Sequence, residues 1–319
     1  LSQSAFPFKL KADCWADLKG ELHLSEINKV AIVGGTHGNE FSGVYLISKW
    51  QQHPQLIARS SLEVTTVIAN PKAHGENKRY IDADLNRQFS ASNLADFDLA
   101  NYEQSRAKVL HQQLGPKSKP NMDLVIDLHN TTSNMGPTLI LLEQTPFYKQ
   151  LAAYVSMRMP EAVVFLDEPE EDMSNHRFLA SCGKYGVLIE VGPQPQSVLR
   201  QDVLEQMEQM TGHILDFVEL HNQQDLPELP KQVEAFLYLD SIKLPLNEKG
   251  ERLAMVHSNV QDHDYQPIKP GDPIFRTFMG EDICYQGDKT VYPAFINEAA
   301  YYDNDLAMSL MDKITLEVE

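Results

Sequence analysis

The sequence predicts an α/β fold with a largely parallel central sheet, followed by a smaller β-rich C-terminal region. Three observations carry this. Short apolar, β-branched runs alternate with amphipathic stretches from residue 30 to about residue 220, the pattern of strand–helix–strand units that build parallel sheets. A polar stretch bearing two prolines, Asn222-Gln-Gln-Asp-Leu-Pro-Glu-Leu-Pro230, then interrupts the alternation. Beyond it the texture changes to short strand-like runs punctuated by Pro and Gly, which places a first domain at 1–222 and a second at 223–319.

Residues 1–28 are mixed in character, with an edge strand expected around Phe6 to Leu10. Val30-Ala-Ile-Val33 is four consecutive apolar residues, three of them β-branched, and reads as a buried strand. Gly34 and Gly35 break it, and helical spacing runs from 40 to about 52. Leu62 to Ala69 is a second strand, closed at Asn70-Pro71 because a residue before proline avoids the helical region. Lys78 to Arg87 is too irregular for a helix and too polar for a buried strand. A helix over 103–114 ends at Gly115-Pro116. Strands are expected at 123–129, 138–142, 162–166 and 187–191, with a helix over 147–159. Apolar residues at 199, 203, 207, 210, 214 and 217 mark a long amphipathic helix over 198–220. After the linker, strand-like runs fall at 235–239, 253–256 and 292–296.

Bulk properties exclude several classes. A formal net charge of −18 is wrong for binding a phosphate backbone, so no nucleic-acid partner is expected. No apolar run approaches the roughly 20 residues of a membrane span, and the opening Leu-Ser-Gln-Ser-Ala-Phe-Pro lacks the regions of a secretory signal. Cys14, Cys182 and Cys284 are scattered and show no C-x-x-C spacing. That argues for a reducing compartment, hence a cytoplasmic protein, and against a thiolate metal site.

His37 and Glu40 stand three residues apart where the first strand gives way to the first helix. That spacing can bring an imidazole and a carboxylate to one point, as a metal site needs. Glycines at 34, 35 and 38 let the backbone bend there. Alone, the pair reads as an ordinary loop with a chance histidine, so a third ligand is required. His129 ends an apolar strand, and ligands from the carboxyl ends of neighbouring strands converge in open α/β sheets. Two imidazoles and one carboxylate make the donor set of a catalytic zinc with an open position. Asp127 lies on the same side of that strand, placed to accept the free N–H of a ligating imidazole; as a plain strand-end acid it would instead bind backbone amides. Glu190 interrupts an apolar strand, and a buried unpaired carboxylate is costly, so it is paired, protonated or catalytic. Beside a metal it would serve as general base; otherwise it is half of a structural salt bridge. Arg79, Asn86 and Arg87 lie in the irregular polar segment, where arginine suits capture of a carboxylate or an oxyanion. Two arginines in a loop are more often surface charge, although Tyr80, Ile81 and Leu85 argue against a solvent-facing loop.

Together these residues resemble the aspartoacylase and succinylglutamate desuccinylase family, in particular its aspartoacylase branch. The likeness rests on Gly34-Gly-Thr-His-Gly-Asn-Glu40, Arg79-Tyr-Ile-Asp-Ala-Asp-Leu-Asn-Arg87 and Asp127-Leu-His-Asn-Thr-Thr-Ser-Asn-Met-Gly136. Ile189-Glu-Val-Gly-Pro-Gln-Pro-Gln196, Pro270-Gly-Asp-Pro273 and Asn297-Glu-Ala-Ala-Tyr-Tyr302 extend it over nearly the whole chain. The resemblance implies a zinc carboxypeptidase-like catalytic domain capped by the β-rich domain. It implies one zinc ion per chain and hydrolysis of N-acetyl-L-aspartate to acetate and aspartate. In that reading His37, Glu40 and His129 bind zinc, Glu190 is the base and Arg79 polarises the acetyl carbonyl. Asn86 and Arg87 hold the α-carboxylate, Tyr301 reaches in from the C-terminal domain, and Ile140 and Phe295 line a small acyl pocket. The branch carries an arginine some ten residues before the catalytic Glu, with a tyrosine before it, to grip the substrate's side-chain carboxylate. Here the candidate is Arg177, thirteen residues before Glu190, which requires an insertion around Ser181-Cys-Gly183 and leaves the tyrosine's place near Met173. The partner is then a small N-acyl amino acid, with a homodimer left open. Rival readings are an aminoacylase preferring N-acetyl aromatic amino acids and a zinc-holding binding protein without turnover. The second of these needs neither Glu190 nor Arg79.

Overall fold

The computed structural model describes residues 26–167 and 173–318; the strand expected near Phe6 lies outside them. In chain order the first half contains β1 (Lys29–Gly34), α1 (Phe41–Gln52), β2 (Glu63–Ile68), α2 (Pro71–Gly75), α3 (Ala91–Ala95), α4 (Tyr102–Leu114), β3 (Leu124–Asn130) and β4 (Gly136–Leu141). The chain continues with α5 (Pro146–Arg158), β5 (Val163–Leu166), β6 (Tyr185–Gly192), α6 (Gln201–Gln223), β7 (Gln232–Lys243) and β8 (Ala254–Val256). It ends with β9 (Pro273–Thr277), β10 (Asp282–Cys284), β11 (Tyr292–Ala294) and β12 (Leu306–Glu317).

The central sheet has the order β11-β12-β7-β5-β4-β6-β3-β1-β2. Its pairings β1–β2, β1–β3, β3–β6, β4–β5 and β5–β7 are parallel. The pairings β4–β6, β7–β12 and β11–β12 are antiparallel. The mostly parallel sheet with helices is therefore as the sequence pattern predicts. It is also wider than that pattern suggests, because β7, β12 and β11 from beyond the linker continue it. A separate three-stranded sheet, β10-β9-β8, belongs to the C-terminal region. No helix among the described residues is long and apolar enough to cross a membrane.

Strands buried on both faces read as continuous apolar runs, with alternate residues feeding opposite cores. Val30 and Ile32 of β1, Ile126 and Leu128 of β3, and Val187, Ile189 and Val191 of β6 face the layer formed by α1, α5 and α6. In that layer Leu46, Ile47 and Trp50 of α1 and Val203, Met207, Met210 and Ile214 of α6 follow helical spacing. Full burial of each large apolar side chain contributes roughly 1.5–3 kcal/mol. The other face takes Ala31, Val33, Val125, Ile140 and Leu188. Period-two alternation therefore also puts Asp127, His129 and Glu190 on this second face, toward the carboxyl ends of β3 and β6.

Candidate active site

His37 sits in the β1–α1 loop and Glu40 is the residue before α1. Two glycines make that loop possible. Gly35 has φ +67°, and a Cβ on Gly38 would lie 2.2 Å from the backbone of Ala73. His129 lies near the end of β3, directly opposite Glu190 of β6 in the register. Ligand atoms of His37, Glu40 and His129 all lie within 4.8 Å of one another, and all three side chains are buried. His37 Nδ1 is 2.7 Å from Glu40 Oε1, and His129 Nδ1 is 3.0 Å from Glu40 Oε2 and 3.2 Å from His37 Nδ1.

The far ring nitrogens fix the tautomers. His129 Nε2 is 2.8 Å from Asp127 Oδ2, and Asp127 Oδ1 accepts from the Thr36 hydroxyl at 2.7 Å. His37 Nε2 is 3.0 Å from Asp84 Oδ1. Protons donated to these carboxylates leave the Nδ1 lone pairs facing one point beside Glu40, the arrangement seen for metal-ligating histidines. Charge is consistent with a cation there. Among the described residues, Arg79 is the one Lys or Arg ion-paired with the three acids Glu40, Asp84 and Asp127, at 2.9 Å from Glu40 and 3.3 Å from Asp84, so two negative charges remain without a direct ion pair to a permanent cation. A divalent ion with two neutral imidazoles balances them, and the donor set therefore fits a metal. The same field acts on protons. Burial opposes charge on both groups, yet His37 and His129 hold the Glu40 carboxyl well below the usual range, while Asp127 and Glu40 raise His129 well above its own. Asp84 is likewise held low, by His37 and the arginines against burial.

Glu190 behaves oppositely. Burial, with repulsion from Glu40 and Glu298, pushes its carboxyl well above the usual range, against attraction from His129 and Arg79. It lines the same cavity as the triad, of about 330 Å³, with Arg79, Asn86, Arg87, Ile140, Arg177, Phe295 and Tyr301. Every site residue expected from the sequence therefore lies in or against this cavity, Asp127 behind His129. Asn86 is pinned by its Oδ1, which accepts from the Leu179 backbone at 2.8 Å. Its Nδ2, 3.5 Å from His129 Nε2, cannot donate there if that nitrogen is protonated. The Arg87 guanidinium stacks 4.9 Å from the Phe178 ring and donates to the Asn86 carbonyl. Arg177 is exposed on the cavity rim, and its carbonyl accepts from Phe89 N. Tyr301 is half-buried, and burial raises its phenol above the ordinary value.

Three acids with clear positions were given no role by sequence reasoning. Asp84 holds His37. Glu298 joins the two regions of the chain: its Oε2 accepts from Thr132 N at 2.7 Å, Ser133 N at 3.3 Å and the Thr131 hydroxyl, while Oε1 accepts from Ala300 N. Glu103 anchors the segment before Asp84. Asp84 and Glu298 fall inside the quoted motifs, where Asp84 between Ala83 and Leu85, and Glu298 before Ala299 and Ala300, were the available signal.

A donor set of two histidines and one glutamate with a buried acid beside it, at the carboxyl ends of an α/β sheet, defines a hydrolase-type site with a candidate metal centre. Residues 26–218 match the succinylglutamate desuccinylase/aspartoacylase catalytic domain, and residues 231–313 match the AstE/AspA barrel-sandwich hybrid domain. The chain belongs to this family. It is 44% identical over 301 residues to aspartoacylase of Xenopus tropicalis, covering 92% of this chain and 95% of that one. It is also 44% identical over 295 residues to the N-acyl-aromatic-L-amino acid amidohydrolase (carboxylate-forming) of the same organism, covering 90% and 93%. Among solved structures, murine aminoacylase 3 matches with TM-score 0.86 and 41% identity, over 92% of this chain and 98% of the other. The chain is thus an amide-hydrolysing enzyme of the aspartoacylase and aminoacylase family, with a barrel-sandwich C-terminal domain.

Proposed function

We propose that this enzyme hydrolyses N-acyl amino acids with one zinc ion held by His37, Glu40 and His129, and that N-acetyl-L-aspartate is its preferred substrate. The supporting observation is the cavity beside the triad: it holds Arg87 and Arg177, and neither pairs with a carboxylate among the described residues. A dicarboxylate entering such a pocket loses hydration at two ends, and each needs a fixed cation. Asn86 and Arg87 take the α-carboxylate, and Arg177 takes the side-chain carboxylate with a fork suited to it. Ile140 and Phe295, with Phe165 and Leu188, bound a small acyl pocket.

Zinc, when bound, lowers the pKa of a water and polarises a carbonyl. With a divalent cation at the triad offsetting the repulsion from Glu40, Glu190 is ionised and takes a proton from the attacking water as its oxygen bonds to the acyl carbon, then delivers that proton to the leaving amine nitrogen as the C–N bond breaks. Arg79 donates to the acyl oxygen as negative charge develops. Tyr301 closes the cavity from the C-terminal region. Asp127 and Asp84 keep the two imidazoles in the ligating tautomer.

An aromatic substrate is the second reading, and Asp167 favours it. This acid lines the same cavity, 3.3 Å from His176 Nε2, and its charge opposes a second carboxylate. The deciding comparison is kcat/KM for N-acetylaspartate and N-acetyltyrosine in wild type and Arg177→Ala. Loss of a charge-assisted contact, worth about 1.5–3 kcal/mol, weakens the first substrate roughly ten- to hundredfold and spares the second. Equal effects on both, or none on either, would remove Arg177 and transfer the proposal to aromatic substrates.

A further inference from the structure

We infer that Glu103, a buried residue of α4 outside the cavity, is a positioning residue for the active site. It acts by clamping the backbone of residues 81–83 and so setting Arg79 and Asp84. The inference rests on the proposed roles of those two residues. The segment from Glu76 to Ser90 has no regular structure apart from a single 3₁₀ turn at Leu85–Arg87, yet it supplies Arg79, Asp84, Asn86 and Arg87. A segment without its own ladder must satisfy its amides elsewhere.

Three consecutive amides converge on Glu103. Ile81 N donates to Oε1 at 2.7 Å, and Asp82 N and Ala83 N donate to Oε2 at 2.9 and 3.2 Å. Asn70 Nδ2 adds a fourth donor to Oε1 at 3.1 Å. Glu103 is 0% exposed, and no Lys or Arg pairs with it among the described residues. Amide dipoles therefore carry the stabilisation of its charge. The clasp is reciprocal, because Asp82 Oδ2 accepts from Tyr102 N at the start of α4 at 2.9 Å. Asn70 also links it to the metal loop, its backbone N donating to the Gly35 carbonyl at 3.0 Å.

The clasp lies between two active-site residues. Arg79 precedes Ile81 by two positions and reaches Glu40. Asp84 follows Ala83 directly and holds His37 Nε2. Glu103 thus governs the spacing of the group that polarises the acyl oxygen and the group that orients a ligand. No substrate contact is assigned to it.

Glu103→Gln keeps the size of the side chain but turns one oxygen into an NH₂ facing amide donors. Misplacement of catalytic groups by about 1 Å costs up to roughly 100-fold in rate. We expect kcat to fall about 10- to 100-fold with KM within about threefold, and zinc affinity, read by competition with a chromogenic chelator, to fall about three- to tenfold. Because Glu103 acts on zinc through Asp84, the affinity losses of Glu103→Gln and Asp84→Asn should not multiply in the double variant. Multiplying losses, or wild-type kcat and affinity in a folded Glu103→Gln, would overturn the inference. If Glu103→Gln fails to fold, the exposed Asp82→Ala breaks the return bond of the same clasp. A two- to fivefold lower kcat at unchanged KM then supports the inference, and wild-type kcat refutes it. The chelator readout does not depend on turnover. Failure to bind zinc in the wild type would instead refute the proposed metal function.

Discussion

Replacing Asp127 by Asn tests how the protein prepares His129 as the proposed metal ligand, because the change is isosteric and the site is closed. Asp127 is fully buried, and its two oxygens are both used, one by His129 Nε2 at 2.8 Å and one by the Thr36 hydroxyl at 2.7 Å. The asparagine has two ways to sit. With its NH₂ toward His129, the ring must accept at Nε2, and its proton moves to Nδ1, the atom that faces Glu40 and His37. That proton must be expelled before a metal binds. With its oxygen toward His129, the tautomer survives while the Thr36 hydroxyl rotates to accept from the amide, and only the negative charge is lost. A hydrogen bond to a charged group contributes roughly 1.5–3 kcal/mol, which converts to about 10- to 150-fold in affinity; the second arrangement sits at the low end. Competition between Asp127→Asn and a chromogenic zinc chelator at fixed pH reads this directly. Zinc affinity within twofold of wild type would show that Asp127 does not set the ligand, and its role would revert to a strand-end acid.

Two further outcomes are expected. Glu190→Gln should retain zinc and substrate affinity while kcat falls roughly 10²–10⁴-fold, the usual contribution of a positioned base; near-normal turnover would make Glu190 a structural residue. Asp264 should impose a stability decline between about pH 4 and pH 7. Burial pushes its carboxyl up to about 7 against backbone hydrogen bonds, that from Ile296 N among them, and Oδ2 has no hydrogen-bond partner among the described residues. The native state therefore holds a proton that the unfolded chain releases near pH 4, so this contribution is present at low pH and lost as pH rises through 7. It amounts to several kcal/mol at most. Urea midpoints measured from pH 5 to 8 should fall less steeply in Asp264→Asn than in wild type, and parallel profiles would contradict the assignment.

Much of the site was legible from sequence because its residues interrupt strong local patterns. His129 and Asp127 close an apolar strand, Glu190 breaks another, and His37 and Glu40 follow a run whose glycines leave no alternative to a turn. In a parallel sheet the ends of such strands share one edge, so strand order was not needed to bring these residues together. The roles of Asp84, Glu103 and Glu298 were not legible. Each depends on partners far along the chain, His37 for Asp84, the 81–83 amides for Glu103 and the 131–133 loop for Glu298. A loop's backbone can be satisfied in many ways, and only the packed structure selects one. Strand β12 was missed for a related reason. Leu306-Ala-Met-Ser-Leu-Met-Asp-Lys-Ile-Thr-Leu-Glu317 is rich in residues that favour helices, and pairing along almost all of β7 overrides that preference. Sequence thus determined which side chains could do the chemistry, since period and burial are local properties. Tertiary structure alone decided what holds them at working distance, because hydrogen bonds between distant segments form only when both are already in place.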